Sequence, residues 1–193
     1  MDDRGCRSRR KPISVGVPTV RRLTTAEASN DLLAEIRRLL DEAFEGDFSN
    51  EDWEHALGGW HVVVEVGDAV VSHAAVVPRT LEVAGRPVRT GYVEGVATAA
   101  KRRREGLGSL AMAEITELVR REFELGALST GVYRLFERLG WERWQGPTFV
   151  RHGSALIRTE EEDDGVMVLR FGSTKDVELA AALTCESRPG DDW

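Results

Sequence analysis

Cysteine is almost missing. The chain of 193 residues holds two, Cys6 and Cys185, at opposite ends. That excludes a disulfide framework and makes a reducing cytoplasm the expected compartment. No apolar run approaches the roughly 18 residues of a membrane span. The basic N-terminus lacks the apolar core of a secretory signal. The four histidines, His55, His61, His73 and His152, have no metal-type spacing, and neither HExxH nor CxxC occurs. The expectation is therefore no metal, with histidines that serve packing or the surface. Positive charge is also short: the net charge is −7, so neither nucleic acid nor an anionic membrane is an expected partner.

What basic charge there is sits unevenly. Residues 1–11 hold Arg4, Arg7, Arg9, Arg10 and Lys11 against Asp2 and Asp3, which leaves 21 bases and 31 acids for the rest. Residues 1–18 read as a disordered basic leader and residues 19–193 as one domain. An acidic folded body suits a cationic substrate; plain solubility is the other reading.

Within that body a strand is expected near Thr19–Leu23, followed by an amphipathic helix with Leu32, Leu33, Ile36, Leu39, Leu40 and Ala43 on one stripe. Ser49 and Asp52 have capping-box spacing, and Gly58-Gly59 closes a second short helix. "WHVVVEV", "AVVSHAAVVPRTLEV" and "VRTGYVEGVAT" read as three consecutive antiparallel strands. A helix from Gly106 to Phe123, the strand "LGALST" and the short helix "VYRLFERLG" follow. "TFVRH" and "GVMVLRF" read as two strands joined by an acidic loop, and Asp176–Thr184 as a final helix. The class is α/β, or mixed α+β, with helices on both faces of a sheet. Trp53, Trp60 and Trp141 fall in patterned elements and read as core; Trp144 reads as core or pocket lip.

The most specific stretch is "VEGVATAAKRRREGLGSL", residues 93–110. A strand runs into a basic glycine-containing loop, and the loop into a helix. Gly106 and Gly108 let backbone approach a ligand. The helix start presents unpaired N–H groups with the positive dipole end behind them. Lys101, Arg102, Arg103 and Arg104 add formal charge. This is a pyrophosphate site, against the alternative of a basic surface turn. It has neither Walker nor GxGxxG spacing. Arg103-x-x-Gly106-x-Gly108 resembles the acyl-CoA loop of the GNAT acetyltransferases, and "LFERLGW" (Leu135–Trp141) resembles their downstream segment.

Further segments narrow the resemblance. "EAFEGDFSNEDWEHALGG" (42–59), "SHAAVV" (72–77), "GYVEGVAT" (91–98), "LGALST" (125–130), "DDG" (163–165) and "GDDW" (190–193) are similar to the aminoglycoside 2'-N-acetyltransferases. The resemblance runs from about residue 20 to Trp193. It implies a GNAT fold, a mostly antiparallel splayed sheet flanked by helices, with acetyl-CoA in the splay. Val96, Ala97 and Thr98 would offer backbone groups to the pantetheine arm and thioester. Arg103, Arg104, Gly106, Leu107 and Gly108 would hold the pyrophosphate. Asp47, Asp52, Glu94, Gly95, Ser129, Asp163, Asp191 and Trp193 would meet the aminoglycoside. A homodimer is the assembly the resemblance allows.

The chemistry sets its own demands. Only a neutral amine attacks a thioester, yet carboxylates around an ammonium group favour its charged form. A base must take the proton, and Glu94 is the candidate, beside Gly95, where a strand bulge would turn it to the cleft. Where GNAT enzymes commonly place a tyrosine to protonate the leaving thiolate, this chain has Phe136. Tyr133 lies three residues earlier on the same helix face and is either a substitute acid or core. Trp193 can stack on a sugar ring, Asp191 can take an ammonium group, and Asp192 reads as a solvent-facing spacer. Deletion of Asp191–Trp193 is then expected to spare folding and acetyl-CoA binding. The competing functions are acetylation of another cationic amine (a polyamine, an envelope amino sugar or a peptide N-terminus) and acyl-CoA binding without turnover.

Overall fold

The computed structural model describes residues 16–193. Most of the expected leader, with Cys6, lies outside the described residues. Strand β1 (Thr19–Thr24) leads to helices α1 (Asn30–Ala43) and α2 (Asn50–His55). The meander β2 (Trp60–Val66), β3 (Ala69–Val83) and β4 (Arg86–Thr98) follows. Helix α3 (Leu107–Glu122), β5 (Leu125–Ser129), α4 (Tyr133–Glu137) and the two-residue β6 (Glu142–Arg143) come next. Then come β7 (Thr148–His152), β8 (Ala155–Arg158), β9 (Val166–Arg170) and β10 (Leu183–Glu186).

The helix boundaries have visible causes. Ser29 Oγ accepts from the Leu32 N–H at the start of α1. Ser49 and Asp52 form the reciprocal capping box expected for α2. Gly106, the residue that caps the start of α3, has a φ of 83°, a left-handed conformation.

One sheet runs β6-β9-β5-β4-β3-β10-β7-β8, with β2 also pairing with β3 and β1 lying outside β2. Its two faces are both covered. Val62 and Val64 pack with α3 residues such as Met112 and Ile115 on one side. Val63, between them in sequence, packs with Ile36 and Leu40 of α1 on the other. That burial on both faces is why residues 62–64 are an unbroken run of valine. A third apolar cluster, from Leu81 and Tyr92 to Trp144, Leu183 and Trp193, joins the far half of the sheet to the C-terminal strands.

Strands β4 and β5 run parallel but pair only over Thr90–Tyr92 and Leu125–Ala127. Past those residues they diverge, and the sheet opens into a V. That splay, expected from the resemblance, positions everything that follows.

Two expectations fail. Asp176–Thr184 is not a helix. The segment turns and then enters β10, antiparallel to β3 and parallel to β7. Val177, Leu179, Ala181, Leu183 and Cys185 all pack on one cluster. Their spacing is two, a strand period that the helical reading overlooked. The acidic loop also holds an extra strand: β8 forms a hairpin with β7. Its Leu156 and Ile157 are exposed on the sheet edge, so no alternation marked it. Among the described residues no helix is long and apolar enough to cross a membrane.

Candidate active site

The V between β4 and β5 holds a cleft of about 540 Å³. Its floor is the stretch Val93–Val96 of β4. Ala75 pairs with Glu94 and His73 with Ala97, so β4 carries one extra residue against β3. Gly95 sits in that bulge with φ of 55°, as expected beside a residue to be turned toward a ligand. Glu94 lines the cleft, its side chain 16% exposed. Burial raises its pKa, opposed by the neighbouring Arg188 guanidinium. Arg188 Nη1 donates to Glu94 Oε1 at 2.8 Å.

The second wall is α2 and the turn before it, with Asp47, Asp52 and His55. Asp52 spends Oδ2 on its capping box. His55 Nε2 donates to the Pro189 carbonyl at 2.8 Å, which ties α2 to the end of the chain. Gly190, at φ 76°, lies where a Cβ would come within 2.7 Å of Glu51 Cβ. A side chain there would separate the tail from α2.

The tail is the third wall. Arg188 is its clamp: Nε donates to the Asp191 carbonyl and the backbone N–H to Asp192 Oδ1, while Nη1 holds Glu94. Arg79 Nη1 donates to the Asp192 carbonyl from the other side. Asp191 faces the cleft, and its Oδ1 accepts from the Trp193 N–H. Asp192 is therefore a structural acceptor for Arg188, not the expected solvent-facing spacer. Trp193 also departs from expectation. It borders the cleft but is 4% exposed and packs in the third cluster. Its large apolar area is worth more inside than against solvent, and no open ring face is left for sugar stacking.

The fourth wall is the end of β5 with α4. Ser129 Oγ donates to Glu162 Oε2, and burial, then Asp191, raise the Glu162 pKa. Asp163 is turned away. Arg158 grips both its oxygens, the Thr148 N–H donates to Oδ1, and these bonds hold its pKa at about 2. The expected aminoglycoside contact at Asp163 is thus taken up by an internal ion pair, and the neighbouring Glu162 reaches Ser129 instead. Tyr133 is likewise engaged. Its hydroxyl donates to the Asp164 carbonyl at 2.7 Å and Arg143 covers its ring at 3.7 Å. Leu135 and Phe136 are the α4 residues in the cleft. The five-residue helix turns Tyr133 to the β9 side.

A smaller hollow of 190 Å³ lies at the start of α3. Thr98, Arg102, Arg103, Arg104, Gly106, Leu107, Gly108 and Ser109 line it. Arg104 and Gly106 both have positive φ, so the chain turns tightly on either side of Glu105. A Cβ on Gly108 would sit 3.0 Å from Thr98 Oγ1. Leu135 borders both hollow and cleft, so a cofactor can run from one to the other along Val96–Thr98. Lys101 does not line the hollow, and Arg102 is paired with Glu105. Arg103 and Arg104 line the hollow with no ion-pair partner among the described residues. Among the described residues no metal-ligating cluster gathers.

Arg188, His55 and Glu162 were not singled out by sequence. Arg188 had a signal, because it opens the conspicuous "RPGDDW"; Glu162 lay inside a run of acids that spacing alone does not resolve.

A sheet parted beside a bulge, with a phosphate-binding helix start at its side, defines an acyl-CoA-dependent acetyltransferase. Comparison with known proteins agrees. The acetyltransferase (GNAT) domain family matches residues 19–144. A GNAT family N-acetyltransferase (YhbS) from Escherichia coli, solved with CoA, superposes with TM-score 0.62 at 17% identity, covering 92% of this chain and 93% of that one. A GNAT acetyltransferase from Brucella melitensis, solved with acetyl-CoA, gives TM-score 0.58 at 19% identity, covering 82% and 90%. The aminoglycoside 2'-N-acetyltransferase of Mycolicibacterium fortuitum is 40% identical over 187 residues, 94% of this chain and 96% of that protein. The chain belongs to the aminoglycoside 2'-N-acetyltransferase family of GNAT acetyltransferases.

Proposed function

We infer that residues 19–193 form a cytoplasmic enzyme that transfers the acetyl group of acetyl-CoA to the 2'-amine of aminoglycosides. The observation that carries the substrate class is convergence. Asp47, Asp52, Glu94 and Asp191, from three separate parts of the chain, face one cleft. A polyamino sugar offers the matching ammonium groups and little apolar surface.

Arg103, Arg104 and the N–H groups around Gly106–Gly108 hold the pyrophosphate. Val96–Thr98 guides the pantetheine arm and brings the thioester over the bulge. A peptide N–H there, that of Val96, stabilises the oxyanion as the carbonyl becomes tetrahedral. Glu94 takes the ammonium proton, directly or through a water. Its raised pKa makes it a better base than an ordinary glutamate. The freed lone pair attacks the thioester carbon, the C–S bond breaks, and the thiolate leaves. Tyr133 is held by Asp164 and Phe136 has no proton, so solvent protonates the sulfur; a free-thiol pKa of about 8.5–10 makes that departure fairly easy. Cys185 is no nucleophile, since it is buried and its thiol is pushed up to about 11. Transfer is direct, in a ternary complex.

The test is acetyl-CoA with a panel of amines, read by mass spectrometry with assignment of the modified position. Gentamicin and tobramycin, which carry a 2'-amine, should gain one acetyl group. Kanamycin A, with a 2'-hydroxyl, should not. Equal modification of both overturns the regiochemistry. The departure at Phe136 favours a second reading, another cationic amine, and polyamines in the panel decide it.

A further inference from the structure

His61 and His73 are both fully buried, and the mechanism above uses neither. They belong to one chain of hydrogen bonds. Thr25 Oγ1 lies 2.8 Å from His61 Nε2, His61 Nδ1 lies 3.0 Å from His73 Nε2, and His73 Nδ1 lies 2.8 Å from the Gly95 carbonyl oxygen.

The protons in this chain have one arrangement. A carbonyl only accepts, so His73 Nδ1 carries a hydrogen. Burial keeps His73 neutral, holding its pKa at about 3, so its Nε2 is a bare acceptor. His61 Nδ1 must then donate. Burial keeps His61 neutral as well, at about 4, so its Nε2 accepts from the Thr25 hydroxyl. Thr25 Oγ1 in turn accepts from the Gly58 N–H at 2.9 Å. Every polar atom is satisfied and every donor points toward the bulge.

The consequence lies in the peptide that joins Gly95 to Val96. In a trans peptide the C=O and N–H point in opposite directions. His73 draws the Gly95 oxygen toward β3, and the Val96 N–H is thereby turned to the other side, where Gly95 and Val96 line the cleft. Gly95, at φ 55°, has no side chain to hold this conformation, so the restraint comes from the carbonyl.

We propose that His73, braced by His61 and Thr25, is a positioning residue for acetyl transfer. It fixes the Gly95–Val96 peptide so that the Val96 N–H meets the thioester carbonyl oxygen. The proposal rests on the acetyl-transfer reading of the cleft but not on the identity of the amine.

Two measurements test it. In the wild-type protein, spectra of ¹⁵N-labelled histidine should show His61 and His73 as neutral Nδ1–H tautomers from pH 8 to pH 5. An Nε2–H tautomer at His73, or titration near the ordinary histidine value, overturns the proposal. The second uses acetyl-CoA labelled at the acetyl carbonyl. Difference infrared spectra should show the bound thioester C=O band at lower wavenumber than in free acetyl-CoA. His73→Phe should lose that shift and lower kcat about 10- to 100-fold, with the KM for acetyl-CoA unchanged. His73→Asn, whose amide N–H stands where Nδ1–H was, should restore both. A folded His73→Phe with unchanged band and kcat overturns the proposal. Should His73→Phe not fold, His73→Gln replaces it, because its amide reaches the Nε2 position. Equal bands in the Asn and Gln variants overturn the proposal, and loss of the shift in Gln alone supports it. The band is read without an amine, so a shifted band alongside a failed aminoglycoside panel rejects the substrate and leaves the positioning role standing.

Discussion

The two halves of the cleft are built in different ways. Apart from Leu135, the cofactor half comes from one stretch, residues 93–109: a strand, a bulge, a turn and a helix start, each next to the other in sequence. The amine half is assembled from α2, β4, the turn at Glu162 and the C-terminal segment. It is tied by contacts as distant as Arg188 to Glu94 and His55 to Pro189, 94 and 134 residues apart. The local half depends on backbone geometry that a short segment can dictate. The distant half depends on the whole fold, and on Arg188 above all, which holds the tail to the strand carrying Glu94.

If the halves are separable, changes in one should leave the other's constants alone. The largest effect is expected at their junction. Glu94→Gln keeps the shape and an acceptor for Arg188 but loses the base, so kcat should fall about 10²–10⁴-fold with acetyl-CoA affinity unchanged. An unchanged pH–rate profile in that variant removes Glu94 from the role of base. Next comes the tail. Deletion of Asp191–Trp193 is not the clean test that sequence suggested, because Trp193 is core; Trp193→Ala should cost about 3–5 kcal/mol in urea denaturation. Asp191→Asn avoids that loss. It should raise the KM for the amine roughly tenfold, worth about 1.4 kcal/mol, and leave the KM for acetyl-CoA in place. If both constants move together, the halves are one unit.

The same contrast explains what the sequence disclosed. The cradle at Arg103–Gly108 and the bulge at Gly95 were legible because glycine positions, charge and a strand-to-helix junction are local signals. Glu94 was legible through its neighbour. Asp163 was misjudged because nothing local tells which of five consecutive acids meets Arg158 from the adjoining strand. The final helix was misjudged because tertiary pairing with β3 and β7 decided the matter at Leu183–Glu186, although the two-residue spacing was there to be read. Trp193 was rightly marked as structured. Whether its ring faces a sugar or the core is set by residues more than 100 positions away, such as Leu81 and Tyr92.

On the cofactor side, Arg103→Ala should raise the KM for acetyl-CoA about tenfold, a loss of about 1.4 kcal/mol, with the effect shrinking as salt rises. The amine KM should hold. The buried histidines set a smaller, global effect. His61 and His73 stay neutral when folded but take protons when unfolded below about pH 6.5. The unfolded state then binds more protons, so their contribution is full above that value and declines as pH falls toward about 4. Glu94 and Glu162, with raised values, act in the opposite sense. The comparison is therefore wild type against His73→Asn, whose urea midpoint should fall less between pH 7 and pH 5.

The smallest effect is the one that decides the leaving group. Tyr133 is the hydroxyl nearest in sequence to the position where a general acid is expected, yet it is committed to the Asp164 carbonyl and covered by Arg143. Tyr133→Phe should leave kcat and both KM values unchanged and cost only about 0.5–1.5 kcal/mol of stability, the worth of one hydrogen bond. Thiolate departure is then solvent-assisted. A substantial drop in kcat, strongest at high pH where solvent is a poorer acid, would mean that α4 turns Tyr133 into the cleft during turnover. The amine half would then be mobile where the cofactor half is fixed, and the contrast between them would extend from how they are built to how they move.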